Sequence, residues 1–187
     1  NKLLSPSLKH PFGTDFVGRD MFYRCVKGLS NSIVIGILAS IVSSIVALIF
    51  GIAAAVFGKW VDKVVNWGVD LCMGLPHLVL LMLISFMLGK GVKGVTIAVA
   101  LTHWPSLTRI VRSEVMQIRS SQYVQAAYKM GISKWKVAVT HIVPHVLPSY
   151  LIGLVLLFPH AIMHEASITF LGFGLPAEMP AIGVILS

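Results

Sequence analysis

Long apolar runs alternate with short polar ones along the chain, and that alternation lays out the elements. Residues 30–57 carry no charge and are long enough to cross a hydrocarbon layer at a tilt. Their small residues Gly36, Ala39, Ser40, Ser43, Ser44 and Gly51 suit helices packed closely in lipid. "GKWVDK" at 58–63 reads as a turn. A second span follows from Val65 to Leu88, with Asp70 near its start and Pro76 inside it. Pro76 predicts a kink, because proline gives up a helical hydrogen bond and crowds the preceding turn. After the turn "GKGVKG" at 89–94, a third span runs from Val95 to Val111 and a fourth from Val146 to Phe170. Residues 1–29 are polar with proline and glycine punctuation, and 112–141 form the next long polar stretch. The expectation is an all-α polytopic transmembrane helical bundle, one domain over residues 1–187 with about four spans.

Composition agrees with the bilayer as solvent. Hydrophobic residues make up 56% of the chain and charged ones 12%, where a soluble domain carries about a quarter. Mean hydropathy is +0.85. The net charge of +8 does not point to nucleic acid, because the basic residues sit in short segments between apolar runs. The 15 basic residues divide eight (58–63 and 109–136) to seven (1–27 and 90–93). The internal polar segment, flanked by spans, favours 109–136 as the cytoplasmic side. Cys25 and Cys72 form no CxxC and no disulfide framework. The sequence starts at Asn1 without a signal-peptide pattern and stops soon after an apolar stretch begins, so a fragment is expected.

The stretch "SSQYVQAAYKMGISKWKVAVTHIVPHVLP", Ser120 to Pro148, reads as a helix–turn–helix. Good helix formers fill Gln122–Met130, Gly131 supplies a stop, and Ser133 offers an N-cap to a second helix. Small Ala126 and Ala127 would let another backbone approach. The segment resembles the EAA loop of binding-protein-dependent ABC importer permeases, with Gln125-Ala126-Ala127, Gly131 and His141-Ile142-Val143-Pro144 at the motif's spacing. Gln125, His141 and Val143 depart from the family's Glu, Ile and Leu. "HPFGTDFVGRDMFYRCVKG" and "ITFLGFGLP" are similar to segments of the dipeptide, oligopeptide and nickel permease class.

The resemblance implies a multi-pass protein of a bacterial inner membrane, here without the family's first and last transmembrane helices. It implies that Gln125, Ala126, Ala127, Gly131 and Pro144 belong to a cytoplasmic coupling helix docked on an ATPase. The implied partners are ATP-binding subunits, a second permease subunit, an extracytoplasmic substrate-binding protein and the lipid bilayer. No G-x-x-x-x-G-K-[ST] occurs in the chain, so ATP hydrolysis is expected in a separate subunit and no enzyme activity here.

Within the fourth span, "FPHAIMHEASITF" places His160 and His164 four residues apart on one helical face. Such a pair can offer two imidazole nitrogens to one transition metal. Glu165 stands about 100° round the helix and is not automatically a third ligand. Histidines in a bundle also hydrogen-bond between helices, the plainer reading. "HAIMHEASITFLGFG" and "IAVALTHWPSLTRIVRSEV" resemble the nickel branch of the class, which adds His103 as a weaker candidate. Nickel, free or chelated, is therefore the expected cargo, with di- or oligopeptides as the alternative and no stably bound cofactor. His141 and His145 are expected to be structural.

Two other classes fit less well. An intramembrane zinc protease needs H-E-x-x-H, but Ile168 stands where its second histidine belongs. A channel needs no basic docking segment, and the chain has no filter-like loop or acidic ring.

Overall fold

The computed structural model describes residues 2–187, and among these every regular element is helical. Helix α1 spans Met21–Val56, about 54 Å at helical rise. It starts earlier than the apolar run because Asp20 caps it, accepting the Tyr23 N–H at 3.0 Å. Gly36, Ala39, Ser40, Ser43, Ser44 and Gly51 are all buried, and the helices beside them come close. A Cβ on Gly51 would lie 2.6 Å from Val111 Cγ1. The Ser43 hydroxyl donates to the Ala100 carbonyl at 2.6 Å, and the Tyr150 hydroxyl to Ser44 Oγ at 3.0 Å. The opposite face, with Ile37, Ile41 and Ile45, is exposed as a lipid-facing surface would be.

The second span is not one kinked helix. Helices α2 (Lys59–Met73) and α3 (His77–Met87) meet at 93°. Pro76 disfavours a helical residue before it and offers no N–H, so the chain leaves α2 at Gly74 and starts anew at His77. Helix α4 (Val92–Arg119) is longer than the expected 95–111, continuing into the polar segment. By length and apolar composition two helices qualify as spans, α1 and the continuous Lys134–Phe170, or three if the bent pair is one span. The expected four counted α4 as well, which falls short of that apolar composition. Helix α4 packs against α1, α3 and α7, so it buries Thr102, His103 and Thr108 against protein and does not need an apolar circumference.

Helix α5 (Gln122–Lys129) and the short α6 (Lys134–Val137) form the elbow. A π-helical turn, Ala138–Ile142, joins α6 without a break to α7 (Val143–Phe170). Proline at 144 accounts for the turn: widening the helix before a residue with no N–H relieves its crowding of the preceding carbonyl. A last short helix, α8 (Ile182–Leu186), follows the irregular 171–181.

Contacts sort the connections onto two ends. Arg112 makes a two-pronged ion pair with Asp62 (2.5 and 2.7 Å), and Arg119 donates to the Ala55 carbonyl, so 55–62 lies with the elbow. At the other end the Gly91 N–H meets the Gly174 carbonyl, and Asn31 Nδ2 meets that of Pro180. These contacts group the basic segments as the charge reading did. One apolar core lies toward the elbow, with Val111, Val115, Val124, Val137 and Ile142. A second lies toward the far end, with Ile35, Ala39, Leu81, Val95 and Ile168.

Candidate functional site

The elbow is built from local signals. Gly131 adopts φ +78°. The Ile132 N–H returns to the Ala127 carbonyl and the Gly131 N–H to that of Tyr128, so the end of α5 is closed by paired reverse bonds. The Ser133 side chain then accepts the Lys136 N–H and opens α6. Val124 and Ala127 are buried against Val137 and Ile142, which fixes the two helices to one another. Ala127 is thus an inward packing residue, and Ala126 alone of the pair is exposed. Tyr123, Met130 and Trp135 are exposed on the elbow, and Pro144 is exposed where α7 begins.

Gln125 has a contact that its motif position did not foretell. Its Nε2 donates to the Arg119 carbonyl at 2.9 Å, capping the end of α4. A glutamate at this place has no proton to give. His141 packs its ring 6.0 Å from that of Tyr123, while His145 is exposed.

Between the bend of α2 and α3 and the helices α4 and α7 lies a cleft of about 460 Å³. Its walls include Cys72, Met73, His77, Thr102, His103, Leu107, His160 and His164, and no carboxylate among the described residues lines it. Both cysteines are free. His160 and His164 reach the same cleft, but only His164 stands against rings from neighbouring helices. The His160 ring donates from Nδ1 to the Leu156 carbonyl at 2.8 Å and is exposed. His164 instead faces His77 and His103, with ring centroids at 4.5 and 5.1 Å. The helical register allowed the 160–164 pairing, but the neighbouring helices present their rings only to the second position.

His77 escaped the sequence reading. It is a lone histidine after Pro76, and only the right-angle break at that proline carries it to α4 and α7. Glu165 is fully buried on another face of α7, where the Thr169 hydroxyl donates to it at 2.9 Å. It takes no part in the cleft wall, as its position round the helix implied.

Comparison with known proteins bears on this architecture. Residues 47–187 match the family described as binding-protein-dependent transport system inner membrane component. The oligopeptide transport system permease protein OppC of Bacillus subtilis (strain 168) is 34% identical over 182 residues, covering 97% of this chain and 60% of that protein. The dipeptide transport system permease protein DppC of Alkalihalophilus pseudofirmus is 34% identical over 187 residues, covering 100% and 62%. The chain thus spans about three fifths of the length of these curated relatives. A solved structure of the MetNI methionine ABC transporter in an inward-facing conformation superposes with a TM-score of 0.73 at 17% identity, over 83% of this chain and 77% of that one. At that identity it speaks for the fold, a permease bundle. With three quarters of its residues inside the family match, this chain belongs to the binding-protein-dependent transport system inner membrane components.

Proposed function

We propose that the chain is a permease subunit of an ABC importer that carries short peptides inward across the inner membrane. The observation that carries this reading is the likeness over nearly the whole chain to permeases named for oligopeptide and dipeptide transport. Nickel, the cargo expected from the histidine pattern, finds no support in those relatives' names. Its own support is the cleft wall, which offers imidazoles and no carboxylate to receive a peptide's amino terminus. Nickel, free or chelated, is therefore the second reading.

In both readings the mechanism is alternating access. A binding protein delivers cargo at the end formed by 2–20, 89–94 and 171–187. ATPase subunits dock on the elbow at the other end and close on ATP. The elbow moves as a unit, because its two helices share a core and α6 continues into α7. A second permease subunit completes the pathway. The closed end of α5 and the exposed Tyr123, Ala126, Met130 and Trp135 support the docking role.

The test is uptake of a labelled dipeptide and of radioactive nickel by cells carrying the complete transporter. Peptide uptake that stops when ATP hydrolysis is blocked is the expected result. Nickel uptake with no peptide uptake would reverse the order of the two cargoes. Uptake of either that persists without ATP hydrolysis would end the importer reading.

A further inference from the structure

Three histidines from three helices bring their rings together inside the bundle. His77 opens α3, His103 lies midway along α4 and His164 belongs to the last third of α7. Ring centroids stand 4.8 Å apart for His77 and His103, 4.5 Å for His77 and His164, and 5.1 Å for His103 and His164. One nitrogen from each ring lies within 4.8 Å of the other two.

Packing alone is a poor account of this cluster. The Nε2 atoms of His77 and His103 are both buried with no hydrogen-bond partner, and a buried polar atom left unpaired is costly. His103 is also prepared as a ligand. Its Nδ1–H donates to the Val99 carbonyl at 2.8 Å, which fixes the tautomer and leaves the lone pair on Nε2. A backbone carbonyl holding the far nitrogen is one common support of a metal-bound histidine; His160 has the same bond to the Leu156 carbonyl, but its exposed ring is not in the cluster.

We propose that His77, His103 and His164 bind one borderline divalent transition-metal ion, with the remaining coordination position open to the cleft. Imidazole nitrogens suit Zn²⁺, Ni²⁺ and Cu²⁺ and serve Mg²⁺ or Ca²⁺ poorly. Nitrogens around a tetrahedral zinc stand about 3.3 Å apart, given bonds of about 2.0–2.1 Å. Ring rotations that draw the nitrogens in by about an ångström would close the site, and the cleft leaves His164 room to move.

Charge narrows the ligand further. Three neutral imidazoles bring no negative charge, and no carboxylate among the described residues lines the cleft. A bare divalent ion at this depth would be poorly solvated. The open position therefore suits an anionic donor that arrives with the ion, such as the carboxylate of an amino acid or short peptide. The site does not rest on either cargo, since a metal in residence and a metal in transit need the same three rings.

The experiment uses the complete transporter, purified on a tag without histidine, placed in lipid discs and stripped with a chelator. Zn²⁺ and Ni²⁺ are titrated in competition, with Co²⁺ as the spectroscopic reporter. The expected result is one ion per copy of this chain and a nitrogen-ligand Co²⁺ spectrum. Affinity should fall about tenfold or more in His77→Ala, His103→Gln and His164→Ala, and stay unchanged in His160→Ala. His164→Gln, which conserves bulk, replaces any variant whose complex does not assemble, as judged by basal ATPase activity. Absence of saturable binding in the wild type would overturn the site, as would binding indifferent to His103→Gln and both His164 variants. Loss of binding only with His160→Ala would overturn it in favour of the single-helix arrangement. Peptide uptake without metal binding would remove the site and leave the importer. Metal binding without uptake of peptide or nickel would do the reverse.

Discussion

The side-chain amide of Gln125 donates to the backbone carbonyl of Arg119, so the elbow's first helix is tied to the end of α4 by the residue that departs from the family's glutamate. Gln125→Glu removes the donor and sets a carboxylate beside a carbonyl oxygen. The expected loss of stability is small, about 0.5–1.5 kcal/mol, because the bond is exposed to solvent. Hydrogen exchange in α5 should quicken in Gln125→Glu and in Gln125→Ala alike. Exchange unchanged in both would mean that the contact holds nothing in place.

Gly131 has a positive φ and open space around it, since a Cβ there would meet nothing within 4 Å. Any cost of substitution is then backbone strain, about 1–2 kcal/mol for a side chain in the left-handed region. Gly131→Val should misplace the elbow and uncouple ATP hydrolysis from uptake, while Gly131→Asn, which tolerates that φ, should keep most coupling. Equal coupling in both variants at matched expression would contradict this.

Asp62 and Arg112 are each about one quarter exposed and share two hydrogen bonds. Asp62→Asn leaves the guanidinium without its counter-charge and should cost about 1–3 kcal/mol. The reversed pair Asp62→Arg with Arg112→Asp should recover part of that. Thermal unfolding of the complex in detergent reads both, and a double variant no better than the singles would show that the pair does not act as a unit.

Gly51 marks a close approach of α1 to α4, where an added Cβ would stand 2.6 Å from Val111 Cγ1. Gly51→Leu should force the helices apart and cost about 1–3 kcal/mol or more. Adding Val111→Ala should relieve it, again by thermal unfolding. If the second change brings no relief, the strain lies elsewhere.

The segment before α1 should respond to acid. Burial pushes the Asp15 carboxyl upward, but the Arg19 N–H, its guanidinium and the Val17 N–H outweigh this and hold it at about 2. Hydrogen bonds from the His10 ring and the Tyr23 N–H likewise hold Asp20 below its ordinary value. Both groups titrate lower in the folded chain than in the unfolded one. Their stabilisation is complete above about pH 4 and is lost as pH falls toward 2. Proteolytic nicking within residues 2–20 should therefore rise between pH 4 and 2 and stay flat from 7 to 5. A rise already at pH 6 would assign the effect to other groups.

What could be read from sequence followed how local each signal is. The stop at Gly131 and the cap at Ser133 depend on a few neighbouring residues, and both formed as expected. The ends of α1 and α4 were misplaced because a helix continues into polar sequence when a cap or a tertiary partner supports it, as Asp20 and Asp62 do. The break at Pro76 was located, but its angle depends on packing against α4. His77 was invisible for the same reason. His160 and His164 share a helical face and a cleft as expected, but the rings of His77 and His103 come from other helices and meet only His164.

The π-helical turn at 138–142 means that the elbow's second helix and the cleft wall are one shaft, 37 residues from Lys134 to Phe170. His164 rides on that shaft roughly 45 Å from Lys134. No loop intervenes in which a twist applied at Lys134 could dissipate. Such give as the shaft has is concentrated at the widened turn and at Pro148 and Pro159, where the hydrogen-bond ladder is interrupted. A torque applied at Lys134 would therefore reach the ring of His164 with a set phase, and lengthening or shortening the shaft by one residue between them would turn that ring by about 100° away from its neighbours.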